Sequence, residues 1–274
     1  MHLSRSVYHY QSIKDDTVVE DKIMELAIKR PGEGQDKIYD RIRNEGLMWN
    51  YKRVRRVYKK LRLNKRPKTR RRVPQRIKEP LIRSETLNQT WSMDFMHDSL
   101  HNGRKFRVLN IMDDYNREIL AIEAHLSIGS GKVIEILDRV IQDRAKPKSI
   151  RVDNGPEFVA GVIREWCNEK GISLKFIQPG KPSQNGYIER FNRTYRQSVL
   201  DAYIFENMDQ VRIISEEWMD DYNISRPHEA LGGKSPIQFR LVDQDFSNGG
   251  GTPSIGKEES FSLNEEIKLN LPLY

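Results

Sequence analysis

The sequence predicts an α/β fold with one mixed five-stranded sheet flanked by helices, after a small all-α region. Beyond residue 86, three short apolar segments separated by turn residues come first, and helices then alternate with strands. Before residue 65, apolar residues recur at helical spacing instead. We therefore predict four parts: a helical region over 1–64, a basic linker over 65–86, an α/β core over 87–240 and a tail of unknown role over 241–274.

Composition narrows the class of partner. Lys and Arg outnumber Asp and Glu by 47 to 39, a formal net charge of +8, which favours an acidic polymer such as nucleic acid. No segment has the roughly 18 consecutive apolar residues of a membrane span, and the amino terminus lacks a signal-peptide core. Cys167 is the only cysteine, which excludes an intrachain disulfide and a cysteine-rich zinc site. We expect a cytoplasmic protein without membrane contact.

The helical region has the pattern of a helix-turn-helix. We predict a first helix over Asp36–Asn44, a turn over Gly46–Trp49 and a second helix capped by Asn50. Apolar residues mark one face of each helix: Ile38, Tyr39, Ile42, Val54, Val57, Tyr58 and Leu61. Two short helices joined by a turn that contains glycine are typical of DNA-binding proteins in which the second helix enters the major groove.

Positive charge is concentrated next to these helices. Between Gly46 and Lys78 there are fifteen Lys or Arg residues and no acid, whereas a solvated helix face usually mixes both signs. Prolines and basic residues after Leu63 indicate an extended linker that lies along phosphates. We predict DNA contacts in this part of the chain at Lys52, Arg53, Arg56, Lys60, Arg70, Arg71 and Arg72.

The core is predicted element by element from apolar periodicity. Three antiparallel strands come first, and a helix then precedes each of two parallel strands. The predicted strands are Thr90–His97, Lys105–Met112, Glu118–His125, Ser149–Val152 and Ser173–Ile177, and the predicted helices are Lys132–Arg144 and Glu157–Lys170.

Two aspartates stand where a functional site is expected. Asp94 lies inside an apolar strand, where an unpaired carboxylate is costly. Asp153 ends a strand at the crevice where α/β proteins place ligands, and Gly155 leaves room beside it for close approach of a substrate. Taken singly, Asp94 is explained by an ion pair in the core and Asp153 by an ordinary turn.

A third acid, Glu189, lies on a helix predicted from Ser183 onward. Apolar residues occupy one face: Ile188, Phe191, Tyr195 and Val199. Polar residues share the opposite face: Asn185, Glu189, Asn192, Arg193 and Arg196. A solvent-exposed polar face is the simpler interpretation. However, Glu189 and Arg196 are two turns apart and project in the same direction, so one is placed to face a metal and the other a neighbouring phosphate.

Three carboxylates from distant parts of the chain repel one another unless cations neutralise them. Oxygen ligands of this kind favour Mg²⁺ or Mn²⁺, and two such ions suit an in-line phosphoryl displacement. Asp98, Asp113 and Asp114 are rival acids. Since Asp113 and Asp114 stand at a predicted hairpin, turn formation is the favoured role for them, with an outer position near the metals as the alternative.

These residues carry a family resemblance. Asp94 and Asp153 are separated by 58 residues, Asp153 and Glu189 by 35, and an arginine follows the glutamate by seven positions. This spacing, with the segment from Asp153 to Phe158, resembles the DDE triad of retroviral integrases and bacterial transposases, which have a ribonuclease H-like core. From about Leu3 to Phe239 the sequence is similar to the OrfB transposases of the IS-three family of two-frame insertion sequences.

The resemblance implies hydrolysis at a transposon end to free a 3′ hydroxyl, which then attacks a phosphate of target DNA. Asp94, Asp153 and Glu189 would hold two Mg²⁺ or Mn²⁺ ions. Further DNA contacts or residues lining the site would be Arg193, Arg196, Asn154, Gly155 and Asn185. It also implies a homo-oligomer on DNA and an upstream-frame OrfA product, joined by frameshifting, which would supply recognition of the DNA end that this sequence lacks.

Two other functions remain open from the sequence. One is a DNA-binding regulator, or a captured element, whose integrase-like core serves only as a scaffold. The other is hydrolysis of RNA in RNA–DNA hybrids, which shares the fold and metals but leaves the helix-turn-helix and basic linker unexplained. The presence of all three acids favours the transposase.

Overall fold

A computed structural model of the protein describes residues 15–64, 84–159, 161–178 and 182–247. The chain divides into two compact units between residues 69 and 70. Most of the predicted linker, including Arg70, Arg71 and Arg72, lies outside the described residues, as does the end of the predicted tail. None of the helices within the described ranges is long and apolar enough to cross a membrane.

Within residues 15–64, the first unit has three helices: α1 (Thr17–Lys29), α2 (Gln35–Asn44) and α3 (Tyr51–Lys60). Their shared core is formed by eight buried side chains: Val19, Ile23, Leu26, Ile38, Ile42, Val54, Val57 and Tyr58. The predicted cap of α3 is confirmed, since the Asn50 side chain accepts a hydrogen bond from the Lys52 backbone N–H. Helix α1 was not predicted, and it completes the core of this unit.

The second unit contains a five-stranded sheet. Its strands are β1 (Thr90–Ser99), β2 (Lys105–Asp113), β3 (Ile119–His125), β4 (Ser149–Val152) and β5 (Ser173–Phe176). Their order is β3-β2-β1-β4-β5, with antiparallel pairing among the first three and parallel pairing of β1 with β4 and of β4 with β5. The predicted ribonuclease H-like mixed sheet is confirmed.

Helices cover both faces of the sheet. On one face, α4 (Ser130–Asp143) and α6 (Gly161–Lys170) pack on the core that includes Trp91 and Ile150. On the other, α7 (Gly186–Tyr195) and α8 (Met208–Asp220) pack on a second core. Ile188, Phe191, Tyr195 and Val199 are all buried in that second core, which confirms the predicted apolar face of α7.

Two predicted helices begin at slightly different residues in the structure. For the helix predicted over Glu157–Lys170, helical residues cover Pro156–Val159 (α5) and Gly161–Lys170 (α6), and position 160 between them lies outside the described residues. The helix predicted from Ser183 onward begins instead with a 3₁₀ turn over Pro182–Asn185, and the α-helix starts at Gly186. It then passes into a π-helical turn over Arg196–Leu200.

A final helix, α9 (Pro236–Ser247), corrects the predicted start of the tail at Leu241. The helix runs through this position because it is tied to the turn between β2 and β3. Arg240 forms a 2.9 Å ion pair with the buried Glu118, and the Tyr115 hydroxyl bonds to Asp243 at 3.0 Å. The seven residues 241–247, which the prediction assigned to the tail, therefore belong to this helix.

Candidate active site

The parallel pairing of β1 with β4 brings two of the three predicted acids together. Thr90 stands opposite Ser149 and Ser92 opposite Arg151, so the same register continued by two residues places Asp94 level with Asp153. Alternate residues of a strand point to the same face, and the side chains of this pair therefore share one side of the sheet. Both line one open cleft of about 370 Å³.

The cleft contains charged and aromatic residues that the sequence analysis did not single out. It is lined by Asp94, Phe95, His97, Arg107, Asp153, Gly155 and Glu157. Arg107 forms an ion pair with Glu157, and its guanidinium lies over the ring of Phe95, 4.1 Å from the centroid. Each of these residues is ordinary in its own segment, so only the fold reveals the cluster.

Gly155 is required by the space around Asp153. A Cβ atom at this position would lie 3.0 Å from Asp153 Oδ1 and 3.3 Å from Glu157 Oε2. The Gly155 backbone N–H donates to Asp153 Oδ1 at 3.0 Å. Glycine here therefore allows the backbone to hold the carboxylate closely.

Asp94 is oriented by a chain of buried amides. Its Oδ1 accepts from the Phe95 backbone N–H, and its Oδ2 accepts from Asn192 Nδ2, each at 2.8 Å. Asn192 Oδ1 accepts in turn from Asn110 Nδ2 at 2.7 Å, and Asn110 stands opposite Asp94 on β2. The sequence analysis put Asn192 on the polar face of α7, but the residue is only 8% exposed. We assign Asn192 the role of a positioning residue that orients Asp94.

Burial and neighbouring charges act on these acids. Burial, with smaller contributions from the charges of Asp153 and Glu189, raises the pKa of Asp94 to about 6, although bonds from Phe95 and Asn192 oppose this. Partial burial also raises the pKa of Glu189, against the effect of Arg193. Glu189 is exposed and does not line the cleft, yet its charge reaches Asp94.

The carboxylate oxygens of Asp94, Asp153 and Glu189 are ligands of the kind that a divalent cation such as Mg²⁺ prefers. Across the described ranges, no Lys or Arg forms an ion pair with Asp94, Asp153 or Glu189, so no ion pair there offsets their mutual repulsion. In the same ranges, no three His, Cys, Asp or Glu side chains converge closely enough to hold one ion together. The structure thus brings Asp94 and Asp153 into one cleft, with Glu189 near but outside it.

The other residues predicted around the site have varied positions. Asn185 is buried, and its Nδ2 is 3.5 Å from the Met93 carbonyl, so its side chain does not line the cleft. The exposed Asn154 donates to the Ile177 carbonyl at 3.0 Å, and Arg193 is exposed on α7.

Arg196 lies at the start of the π-helical turn and is held by β1. It donates to the Asp98 carboxylate at 3.1 Å and to the His97 carbonyl at 2.8 Å. One rival acid, Asp98, is therefore the partner of this arginine.

The remaining rival acids stabilise the hairpin between β2 and β3. Asp113 accepts from the backbone N–H groups of Tyr115 and Asn88. Asp114 accepts from Ser92 and pairs with Arg151 at 2.6 Å. Turn chemistry is confirmed for Asp113. Asp114 is bound instead by Ser92 and Arg151, which stand two residues before Asp94 and Asp153 in their strands, so an outer position near the metals stays a prediction for it.

Comparisons with known proteins place the chain in a family. The integrase core domain family matches residues 85–182, and a second integrase core domain family matches residues 170–236. The 31.7 kDa protein of insertion element IS407 of Burkholderia multivorans is 36% identical over 239 residues, which cover 86% of each chain. The chain belongs to the IS-three family of DDE transposases.

One further relative agrees with this assignment, and one solved structure shares the fold. The 39.2 kDa protein of insertion element IS476 of Xanthomonas euvesicatoria is 34% identical over 86% of the transposase and 69% of its own length. A chain of a simian T-cell lymphotropic virus intasome structure, solved with a PP2A regulatory subunit, is 16% identical. It aligns with a TM-score of 0.53 over 86% of the transposase and 76% of that chain, which supports the fold.

In the helical unit of the transposase, most of the cations predicted to contact DNA on α3 form ion pairs within the unit. Arg53 and Arg56 both pair with Asp16, at 2.9 and 2.6 Å, and Lys60 pairs with Glu20. Three of the four cations predicted on α3 are thus bound to acids at the start of α1. The acids were overlooked because helix α1 itself was not predicted.

Proposed function

We propose that this transposase cleaves DNA strands at the ends of an insertion sequence and joins them to target DNA, in a reaction that requires Mg²⁺ or Mn²⁺. The observation that carries the proposal is the placement of Asp94 and Asp153 at one level of adjacent parallel strands, facing one open cleft. Glu189 is the third acid, and its charge acts on Asp94 from α7.

Asp94, Asp153 and Glu189 would hold the metal ions, and bound ions would supply activation of the attacking oxygen and stabilisation of the leaving oxygen. The chain itself contributes orientation. Asn192 fixes one oxygen of Asp94, and the Gly155 backbone fixes one oxygen of Asp153. Carboxylates held in place lose little conformational freedom when a substrate binds, which favours reaction in one geometry.

DNA contacts are proposed for arginines of the catalytic core and of the basic linker. Arg196, which donates to the carbonyl of the cleft residue His97, and the exposed Arg193 on α7 are candidates, together with the backbone around Asn154 and Gly155. The basic residues Arg70, Arg71 and Arg72 are candidates along the DNA backbone. We also propose that the active species is a homo-oligomer on DNA in the cytoplasm, and that an upstream-frame OrfA product contributes recognition of the DNA ends.

The test uses the full chain and duplex DNA that carries the terminal repeats flanking its gene. We expect Mg²⁺-dependent cleavage that frees a 3′ hydroxyl, followed by joining to a second duplex, and no reaction in EDTA. Binding of this DNA without cleavage would support the regulator instead. Degradation of RNA in a hybrid, with the DNA ends left intact, would support a ribonuclease.

A further inference from the structure

Helix α3 carries two sets of cations that project in different directions. With 3.6 residues per turn, Arg53, Arg56 and Lys60 lie along one side of the helix, beside its buried stripe. Lys52, Arg55 and Lys59 lie along the adjacent side. We call these the α1-facing set and the outer set. The two sets have the same number of charges but different surroundings.

The α1-facing set is already neutralised inside the unit. Asp16, whose side chain is 9% exposed, receives Arg53 at 2.9 Å and Arg56 at 2.6 Å. Arg53 also donates to the Asp15 carbonyl at 2.7 Å, and Lys60 pairs with Glu20. A phosphate approaching this side would meet carboxylates as well as cations, and it would have to displace existing ion pairs.

The outer set has no such partners among the described residues. Lys52, Arg55 and Lys59 are exposed, and none forms an ion pair in residues 15–64. The nearby acid Asp36 is engaged by the hydroxyl of Tyr51 at 2.8 Å. Three cations therefore extend over two turns, about 10 Å of helix, without an ion pair to any residue of 15–64, and of the three only Lys52 borders the pocket that Asp15 and Asp16 line.

From this difference we infer that the outer set, Lys52, Arg55 and Lys59, forms the duplex-DNA contact surface of α3, and that the α1-facing set anchors α1 to α3. The inference rests on the proposed function, because it takes DNA as the partner. Charge complementarity supports duplex DNA: phosphates line both edges of the groove that a helix enters, and unpaired cations there release condensed counterions. Arg55, absent from the predicted contacts, becomes the central one.

The test compares two full-length variants with equal loss of charge. One is Lys52→Gln/Arg55→Gln/Lys59→Gln, and its matched control is Arg53→Gln/Arg56→Gln/Lys60→Gln. Affinity for a fluorescent duplex is measured by anisotropy between 50 and 200 mM salt. We expect the outer-set variant to lose about tenfold or more in affinity at 0.1 M salt, and its log-log salt slope to fall by roughly 0.9 for each contact removed.

We expect the control to keep its affinity within about threefold and to unfold at a slightly lower temperature, since Asp16 and Glu20 lose the ion pairs that join α1 to α3. If it does not fold by circular dichroism, Arg56→Gln alone replaces it, because Asp16 then keeps its bond from Arg53. Loss of affinity in the folded control with none in the outer-set variant would overturn the inference. Tighter binding of duplex RNA than of DNA at the outer set would also overturn it.

Failure of the proposed function and failure of the α3 surface assignment would give different results. If the wild-type chain shows no salt-dependent binding of duplex DNA, the proposed function loses its substrate. If the wild type binds and cleaves DNA but both triple variants bind as tightly as it does, only the assignment of the α3 surface is wrong.

Discussion

The Asn192 side chain links Asn110 to Asp94 by two hydrogen bonds, and its removal is expected to lower the stability of the protein. In Asn192→Ala, Asp94 Oδ2 and Asn110 Nδ2 both lose their bond in a buried environment. We expect urea denaturation to show a loss of about 1 to 3 kcal/mol in the free energy of unfolding, together with slower strand cleavage. The exposed Asn168→Ala on α6 is the matched control. An Asn192→Ala protein as stable and active as wild type would contradict this role.

The raised pKa of Asp94 predicts that the stability of the metal-free protein depends on pH. Its pKa is raised from 3.8 to about 6, so the folded state holds the proton more tightly than the unfolded chain. The stabilisation from this group is complete below pH 3.8 and is lost as the pH rises through about 6. At pH 7, Asp94→Asn should therefore raise the free energy of unfolding by up to about 2 kcal/mol.

The comparison is made by urea denaturation in EDTA at pH 4 and pH 7, with the exposed Asp143→Asn as control. The gain should be present at pH 7 and close to zero at pH 4. An equal gain at both pH values would show that the charge of Asp94 is not its cause.

At the scale of single residues, the sequence predicted the candidate acids but not the residues that orient or surround them. Asp94 and Asp153 were predicted as candidates partly from their positions in strands, which is a local property, and the structure brings the two into one cleft. Asn192 bonds across 98 residues to Asp94, and Arg107 across 50 to Glu157. Such pairs depend on how distant segments pack, which no local pattern contains.

Among the elements, the π-helical turn after α7 determines where Arg196 lies. Its guanidinium is bound to Asp98, so a DNA phosphate would have to share or replace that partner. If Arg196 contacts DNA, Arg196→Ala should weaken DNA binding severalfold and reduce the salt slope by roughly 0.9. Asp98→Asn should leave binding unchanged or strengthen it. Equal weakening by the two variants, measured by anisotropy, would indicate a structural ion pair instead.

Two elements were mispredicted for different physical reasons. Helix α1 has Val19, Ile23 and Leu26 at helical spacing, so its apolar stripe was present in the sequence and was overlooked. Helix α9 depends on distant partners, since Arg240 binds Glu118, which is 122 residues away in sequence. The first could have been predicted from periodicity, whereas the second is decided by tertiary contacts.

For the molecule as a whole, the order of elements was the most predictable property. Three sequential strands followed by alternating helices and strands leave few right-handed arrangements, and the observed sheet order is one of them. The charge of the helical unit was also evident from composition, but its distribution was not. Pairing with Asp16 and Glu20 changes which cations are available, and that follows only from the packing of α1 on α3.

The central claim is that Asp94, Asp153 and Glu189 form one metal-dependent site for DNA strand cleavage. The most direct measurement is the single-turnover cleavage rate of terminal-repeat DNA in Mg²⁺ for Asp153→Asn, beside Asp143→Asn as a control of equal charge change. We expect Asp153→Asn to lose cleavage by a factor of about 10³ or more while still binding DNA, and Asp143→Asn to cleave as wild type. Cleavage and joining unimpaired in Asp153→Asn would contradict the claim.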